Sequence, residues 1–230
     1  MAKATRAAFG ETLIKLVDEG MDIMAVDADL CGSTTTAKFG AAYPDRLFDV
    51  GIAEQNMIGV ASGLALTGRT VFTGSFAVFG TGRCWEQIRN TVCYSNLNVK
   101  IAPTHAGISV GPDGATHQAL EDIALARVLP RMTVVAPCDS EEVRKAVLAA
   151  ADVDGPVYFR FGREATPVIT DENTPFTLGK ARLVREGTAC AVFACGAMVY
   201  EALVAAEELA QEGQIPCQKD ILRFGGTDAG

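Results

Sequence analysis

The sequence predicts an α/β fold in which a parallel sheet carries helices on both faces, followed by a truncated second α/β domain. Helical and strand-like segments alternate from Thr5 to Phe161, as expected of successive β–α–β units. The strand-like segments are short and almost wholly apolar, which is typical of strands that are buried on both sides. Several of them run into glycine-rich or acidic motifs, and the ligand-binding loops of a parallel sheet lie beyond the carboxyl ends of its strands.

The individual elements follow from apolar periodicity. Phe9, Leu13 and Leu16 recur on one face of the first helix, at the spacing of an α-helix. The predicted helices span residues 5–19, 53–68, 85–94, 119–129 and 140–151, and the predicted strands span residues 21–26, 47–50, 71–74, 99–102, 133–136 and 157–161. Pro130 ends the fourth helix, and Ser140 is the expected N-cap of the fifth.

The sequence changes character after Arg163. Residues 164–188 are polar, carry two prolines and are typical of a linker. One strand and one helix follow, and a single β–α unit cannot bury its own faces. We therefore expect a first domain at residues 1–165, a linker at 166–178 and a truncated second domain at 179–230, with apolar surface that is exposed or packs on a neighbour.

The end of the chain is unusual. Beyond about Gly213 the expected continuation of the second domain is missing, so we expect a truncated or chimeric end. The final GGTDAG is similar to a metallo-aminopeptidase motif, but one short match does not assign peptidase chemistry.

The composition limits the partners and the location. The 230 residues carry a net charge of −8, which argues against non-specific binding to nucleic acid or to an anionic membrane. The seven cysteines form no CxxC pair, so we expect free, mostly buried thiols in a reducing compartment and no structural zinc site. There is no signal peptide and no apolar run of membrane-spanning length, so the expected location is cytoplasmic.

Both histidines of the chain lie in one glycine-rich segment, THAGISVGPDGATHQ, at residues 104–118. Its three glycines permit unusual backbone angles and the close approach of a ligand. His105 and His117 could move protons or hold a phosphate. Together with Asp113 they could instead bind a metal, or they could be structural parts of the loop.

Two further motifs follow predicted strands. Glu54 begins a helix, where a carboxylate is favoured by the helix dipole; held in a semi-apolar site, it could also share a proton with a ligand. Phe76 and Phe79 lie three residues apart in GSFAVFG. They are either core residues or a stacking surface for a flat heterocycle.

Several motifs in this order resemble the pyrimidine-binding half of transketolase, a thiamine-diphosphate enzyme. They are DADL, GIAEQNMIGVASGLAL, SFAVF and THAGISVGPDGATHQ, followed by RVLPRMTVVAPCDSEEV and GPVYFRFGRE, and they cover roughly residues 3–210. The resemblance implies the thiamine-diphosphate-binding fold and the transfer of two-carbon ketol units between sugar phosphates. The histidine segment favours transketolase over 1-deoxyxylulose-5-phosphate synthase and the 2-oxoacid dehydrogenase beta chains. Those enzymes, and a non-catalytic module that retains the fold, remain the alternatives.

The resemblance also assigns cofactor-binding residues. Glu54 matches the glutamate that shares a proton with the aminopyrimidine ring, and Phe79 matches the aromatic residue that stacks on that ring, supported by Phe76. Asp29 matches an aspartate near the thiazolium ring and the partner interface, and Ile52 matches part of the apolar wall behind the ring. A third aromatic residue of the family pocket is missing, because its position is Gly82.

The same resemblance assigns substrate-binding residues. Asp113 matches a residue that recognises a donor hydroxyl, and His117 one that lines the reacting end of the substrate and moves protons there. His105 and Asp113 are also implied in catalysis. The positions implied to bind the sugar phosphate are Arg6, Ser33, His105 and Arg160, among which arginine suits phosphate because of its two-pronged hydrogen bonding.

One part of the family's site is absent from this chain. The family binds Mg²⁺ and the cofactor diphosphate through a separate domain with a GDG…N pattern, and this sequence has no such motif. The resemblance therefore implies the C-terminal chain of a split transketolase, with no metal ligands of its own. The implied partner is an N-terminal subunit, in an assembly of two of each chain, or a homodimer when this chain is isolated.

Overall fold

A parallel sheet built from the first part of the chain organises the protein. The computed structural model describes residues 1–187 and 190–211, together with two strands near the end of the chain. The α-helices are α1 Thr5–Asp18, α2 Cys31–Thr34, α3 Thr36–Ala42, α4 Glu54–Ala65, α5 Trp85–Gln87, α6 Asp122–Arg127, α7 Ser140–Ala151 and α8 Met198–Gln211. The strands are β1 Ala2–Ala4, β2 Ile23–Asp27, β3 Leu47–Asp49, β4 Thr70–Gly74, β5 Val99–Ile101, β6 Thr133–Val135, β7 Val157–Phe159, β8 Ala165–Pro167, β9 Ala181–Arg185, β10 Cys190–Ala194, β11 Lys219–Phe224 and β12 Thr227–Asp228.

The main sheet has seven strands in the order β12-β6-β7-β5-β4-β2-β3. The six strands from β6 to β3 in this order pair in parallel, and β12 joins the edge strand β6 antiparallel. The predicted α/β fold with a parallel sheet is therefore confirmed.

Side chains of the central strands alternate between two buried layers, as the twofold period of a strand requires. In β2, Val26 belongs to the core on one side of the sheet and Ala25 to the core on the other. In β7, Tyr158 lies on the same side as Val26, and Phe159 on the same side as Ala25. Helices α1, α3 and α7 cover one layer, and α4, α6 and the segment around Ile88 cover the other. Helices thus lie on both faces, as predicted.

Two local predictions are corrected, and one short helix was missed. Residues 85–94 were expected to form one α-helix, but only α5 is α-helical, and the π-helical segments Val78–Arg83 and Ile88–Cys93 flank it. The short helix α3 was not predicted. The N-cap of α7 is Asp139 rather than Ser140, because Asp139 has an extended backbone and its Oδ1 accepts a hydrogen bond from the Glu142 N–H at 2.8 Å.

The segment predicted as a linker is bound to the first domain. Its strand β8 pairs antiparallel with β1. Oδ2 of Asp139 accepts hydrogen bonds from the backbone N–H groups of Ile169 and Thr170 at 2.8 and 2.7 Å. Lys145 Nζ donates to the carbonyl of Thr174 at 2.6 Å. These contacts hold the polar segment against α7.

The second α/β unit is a three-stranded sheet in the order β10-β11-β9 with helix α8. The sequence predicted one strand and one helix here, which are β10 and α8; strands β9 and β11 were not predicted. The N–H of Gly196 donates to the carbonyl of Ala136 at 3.1 Å, which joins this unit to the first. The side chains of Phe193 and Met198 are exposed. Gly213, where the truncation was expected to begin, lies outside the described residues.

None of the described cysteines is in a disulfide bond. Cys84, Cys93 and Cys138 are buried, Cys31 and Cys195 are half-buried, Cys190 is exposed, and Cys217 lies outside the described residues. Burial raises the pKa of Cys84 to about 12, so this thiol stays protonated. In the described part of the chain, we find no helix with the length and apolar character needed to cross a membrane.

Candidate active site

The aromatic and histidine motifs meet at the carboxyl ends of the adjacent strands β4 and β5. The chain leaves β4 through Phe76 and leaves β5 through Thr104, and these two residues form a parallel β-bridge. The N–H of Ala77 donates to the carbonyl of Thr104 at 2.7 Å. This pairing extends the sheet into the loops and places the two motifs side by side.

Four rings form an aromatic cluster at this edge. The rings of Phe76 and His105 are stacked with centroids 3.8 Å apart. Those of Phe76 and Phe79 are nearly parallel, at 12° and 6.2 Å. His117 meets Phe79 edge-on at 5.3 Å. The sequence left open whether the phenylalanines were core residues or a stacking surface. Phe76 is buried against His105, whereas Phe79 is half-buried and is the more accessible of the two rings.

Glu54 lies beside the aromatic cluster at the first position of α4. Its side chain is only 4% exposed, and both carboxylate oxygens accept hydrogen bonds from Nη1 of Arg83, at 2.8 and 2.9 Å. The guanidinium carbon of Arg83 also lies 4.6 Å from the centre of the Phe79 ring. Sequence reasoning missed Arg83, because an ion pair between positions 29 residues apart has no local signal.

His105 is buried and electrically neutral. Its side chain has 2% exposure, its backbone has a φ of 61°, and its Nδ1 lies 2.8 Å from the Thr104 hydroxyl. Burial, assisted by the positive charges of Arg6 and Arg163, lowers the pKa of His105 to about 4. Near neutral pH the ring has one donor and one acceptor nitrogen; Nδ1 is engaged with Thr104, which leaves Nε2 for a ligand.

The other residues of the histidine segment are more accessible. His117 is half-buried, with Nδ1 2.9 Å from the Thr116 hydroxyl, and Asp113 is exposed. The segment is curved by glycines with positive φ, among them Gly111. A Cβ atom at Gly111 would collide with the guanidinium of Arg163, so this glycine is required for the close approach of that arginine.

Two arginines line the buried histidine. Arg6 Nη1 donates to the Ser33 carbonyl at 2.7 Å, and its Nε donates to the Arg163 carbonyl at 3.3 Å. This brings together Arg6, Ser33 and His105 of the predicted phosphate site. Arg163, which sequence reasoning did not single out, joins them; the signal was present, because it lies in the same RFGRE motif as Arg160.

Arg160 lies behind the histidine segment. Its Nε donates to Oδ2 of Asp122 at 2.9 Å, and its Nη2 lies 3.4 Å from the Ala119 carbonyl. Asp122 has no exposed surface and also accepts a hydrogen bond from the Tyr158 hydroxyl at 3.0 Å. The charge of Arg160 is therefore matched by a buried carboxylate, whereas Arg163 pairs with the exposed Glu164, with Nη1 2.8 Å from Oε1.

Asp29 and Ile52 face outwards. Asp29 is exposed with a φ of 61°, and its N–H donates to Oδ1 of Asp49 at 2.9 Å. Ile52 is 80% exposed, so it forms no wall within this chain. The neighbouring Asp27, which sequence reasoning did not separate from Asp29, is fully buried and accepts hydrogen bonds from the hydroxyls of Thr34 and Thr36, both at 2.7 Å. The two predicted residues can contact a cofactor only from the outer surface of the chain.

The residues present suit the pyrimidine end of thiamine diphosphate better than its diphosphate end. A flat apolar ring beside a buried carboxylate matches an aminopyrimidine, which has a π face and N–H donors. Among residues 1–187, 190–211 and the two terminal strands, no group of three His, Cys, Asp or Glu side chains could hold a metal ion.

Comparison with known proteins agrees with this geometry. Residues 1–168 match the family model for the transketolase pyrimidine binding domain, and residues 179–218 match the model for the transketolase C-terminal domain. A Methanocaldococcus jannaschii protein named "Putative transketolase C-terminal section" is 47% identical over 213 residues, which are 92% of this chain and 67% of that protein. The 6-deoxy-6-sulfo-D-fructose transketolase subunit SqwH of a Clostridium species is 43% identical, over 90% of this chain and 65% of that protein.

A solved structure is also similar. The structure titled "Split gene transketolase, inactive beta4 tetramer" has a TM-score of 0.88 and 44% identity, and the match covers 98% of this chain and 72% of that one. The chain spans about two thirds of the length of these two curated relatives. The resemblance stated from the sequence is thereby confirmed: the chain belongs to the transketolase family, as a relative of the C-terminal section of split transketolases.

Proposed function

We propose that this chain is the C-terminal subunit of a thiamine-diphosphate-dependent transketolase, which transfers two-carbon ketol units between sugar phosphates together with an N-terminal subunit. The observation that carries the proposal is the position of the buried Glu54 carboxylate beside the Phe76–Phe79 surface and the two histidines. A site for an aminopyrimidine ring and a site for a polar substrate are thus adjacent in one chain.

Glu54 and Phe79 hold the cofactor ring in this proposal. Phe79 presents its ring face for stacking, with Phe76 packed behind it. Glu54 accepts a hydrogen bond from the pyrimidine and shares a proton with it, a role suited to a carboxylate that is shielded from water. When bound, thiamine diphosphate supplies a carbon centre that stabilises the negative charge produced when a ketose is cleaved. Asp29 and Ile52 contact the cofactor from the outer surface, where the partner subunit completes the site.

The histidine segment holds the sugar. His105, neutral near pH 7 because burial lowers its pKa to about 4, hydrogen-bonds the substrate, and His117 moves protons at the reacting end. Asp113 accepts a hydrogen bond from a donor hydroxyl. The phosphate lies near Arg6 and Ser33, with Arg163 and the more remote Arg160 supplying positive charge.

The N-terminal subunit supplies what this chain lacks. It binds Mg²⁺ and the cofactor diphosphate, and the complete enzyme contains two of each chain in the cytoplasm, or a homodimer of this chain when the partner is missing. The similar split transketolase structure is named as an inactive beta4 tetramer, which supports self-association and inactivity of such chains alone, with four copies rather than the two proposed here. Within this chain we propose residues 1–165 as the pyrimidine-binding domain, 166–178 as its connection and 179–230 as part of the C-terminal domain.

The direct test is ketol transfer from xylulose 5-phosphate to ribose 5-phosphate. We expect no activity from either chain alone, and activity when this chain, an N-terminal transketolase subunit, thiamine diphosphate and Mg²⁺ are mixed. Glu54→Gln should reduce kcat at least 100-fold, the typical contribution of a positioned acid or base, without preventing assembly. Full activity of Glu54→Gln would contradict its assigned role.

A second variant tests the sugar-phosphate site. His105→Ala should raise KM for phosphorylated sugars more than it lowers kcat, because it removes binding made in the ground state as well as in the transition state. An unchanged KM would remove His105 from the substrate site.

A further inference from the structure

Arg83 occupies the place beside Glu54 and Phe79. One nitrogen of its guanidinium donates to both carboxylate oxygens of Glu54, at 2.8 and 2.9 Å, while its central carbon lies 4.6 Å from the centre of the Phe79 ring. In the described part of the chain, no other side chain hydrogen-bonds the Glu54 carboxylate. The guanidinium of Arg83 therefore pairs with the Glu54 carboxylate and at the same time lies over the Phe79 ring.

The backbone around Arg83 is built to aim this side chain. The residue ends the π-helical segment Val78–Arg83, and its carbonyl accepts a hydrogen bond from Nε2 of Gln55 at 3.0 Å. Gln55 follows Glu54 in α4, so the main chain of Arg83 is anchored to the helix that carries the carboxylate. The side chain of Arg83 is 49% exposed, so its guanidinium can move away from the site towards solvent.

An aminopyrimidine and a guanidinium offer the same chemistry to this site. Both are flat π systems with N–H donors in the plane, so both can stack on an aromatic ring and hydrogen-bond a carboxylate. Two such groups cannot occupy one ring face and one carboxylate at the same time. We propose that Arg83 is a place-holder that occupies the pyrimidine position in the cofactor-free chain and moves out to solvent when the cofactor enters. This inference rests on the proposed function, in which Glu54 and Phe79 receive the pyrimidine.

The place-holder stabilises the empty site and weakens cofactor binding. Without it, a carboxylate with 4% exposure would be buried without a partner, which is costly. The arginine side chain is 49% exposed, so the ion pair is only moderately strong and can be broken. Competition from a contact of this strength reduces the apparent affinity for the cofactor about three- to tenfold.

Replacing the arginine tests the inference. Arg83→Met keeps an unbranched apolar side chain but cannot bind the carboxylate. The complete mixture of both subunits with Mg²⁺ is titrated with thiamine diphosphate in a calorimeter, and we expect the variant to bind about three- to tenfold more tightly than the unsubstituted protein. Arg89→Met is the matched control, because Arg89 also lies over a ring, that of Trp85, at 6.0 Å, but makes no contact with Glu54; its affinity should be unchanged.

A second measurement does not require a substitution. Phenylglyoxal labels accessible arginines, and mass spectrometry gives the rate at each one in the complete mixture with and without thiamine diphosphate. A bound ligand ordinarily protects arginines near it, whereas displacement predicts faster labelling of Arg83 when the cofactor is present. Slower labelling, or equal or weaker cofactor binding by Arg83→Met, would overturn the place-holder role. If the unsubstituted mixture binds no thiamine diphosphate, the cofactor assignment itself fails, and this inference fails with it.

Discussion

The buried carboxylate of Asp122 should contribute strongly to stability. It has no exposed surface, and its Oδ2 accepts hydrogen bonds from Nε of Arg160 at 2.9 Å and from the hydroxyl of Tyr158 at 3.0 Å. Burial, together with the charge of Asp122, raises the pKa of Tyr158 well above its usual value, so this hydroxyl remains a donor. Asp122→Ala would leave a buried hydroxyl and a partly buried guanidinium without their acceptor.

The magnitude follows from burial. Removing one partner of a buried ion pair typically lowers the free energy of unfolding by about 3–5 kcal/mol. For a domain of this size, each kcal/mol shifts Tm by about 2–4 °C, so the expected decrease in Tm is about 6–20 °C. Asp22 provides the matched control, because it also binds arginines, Arg46 at 2.7 Å and Arg69 at 3.1 Å, but is 58% exposed. Asp22→Ala should cost no more than about 1 kcal/mol.

Urea unfolding followed by circular dichroism compares the two variants with the unsubstituted chain. We expect a large fall in the urea concentration at the midpoint of unfolding for Asp122→Ala and a small fall for Asp22→Ala. A loss below about 1 kcal/mol for Asp122→Ala, or equal losses for the two variants, would refute the argument from burial.

Three further changes have clear expected outcomes. Burial lowers the pKa of Lys100 from 10.5 to about 7 in the folded chain. Between pH 7 and 10.5 the unfolded chain therefore binds more protons than the folded chain, so the free energy of unfolding should rise with pH over that range. Lys100→Met should remove this rise. Asp139→Ala removes the cap of α7 and the acceptor for two backbone N–H groups, so proteolysis within residues 164–180 should accelerate and stability should fall by about 2–4 kcal/mol. In Gly74→Ala the new Cβ would collide with Oδ2 of Asp27, so thermal unfolding should show a loss of more than about 1 kcal/mol; an unchanged Tm would show that Asp27 can move freely.

The parallel sheet could be predicted because its signal is local. Strands such as β2 and β7 are apolar on both faces and their side chains are buried on both faces, and the intervening helices carry apolar stripes. The cap of α7 could not be decided in this way, since Asp139 and Ser140 are adjacent residues that both favour N-caps. The extended backbone of Asp139, with φ −150°, decides between them.

Site residues that lie in a sequence motif could be predicted. Contacts between residues far apart in the sequence could not. Glu54, Phe79 and the histidines lie in motifs, and the structure brings them together. The partner of Glu54 is 29 residues away, and only the folded chain shows it. Arg160 and Arg163 lie three apart in one motif, but one is bound by the buried Asp122 and the other lies near His105. The sequence does not reveal which arginine pairs with the buried Asp122 and which pairs with the exposed Glu164.

The central claim is that Glu54 of this chain activates a cofactor bound between two subunits. The most direct test measures how fast the C2 proton of thiamine diphosphate exchanges for deuterium in the complete mixture. Quenched flow stops the exchange at set times, and NMR measures the proton that remains. We predict fast exchange with the unsubstituted chain and exchange at least 100-fold slower with Glu54→Gln, with the cofactor still bound. Equal exchange rates in the two mixtures would contradict the account.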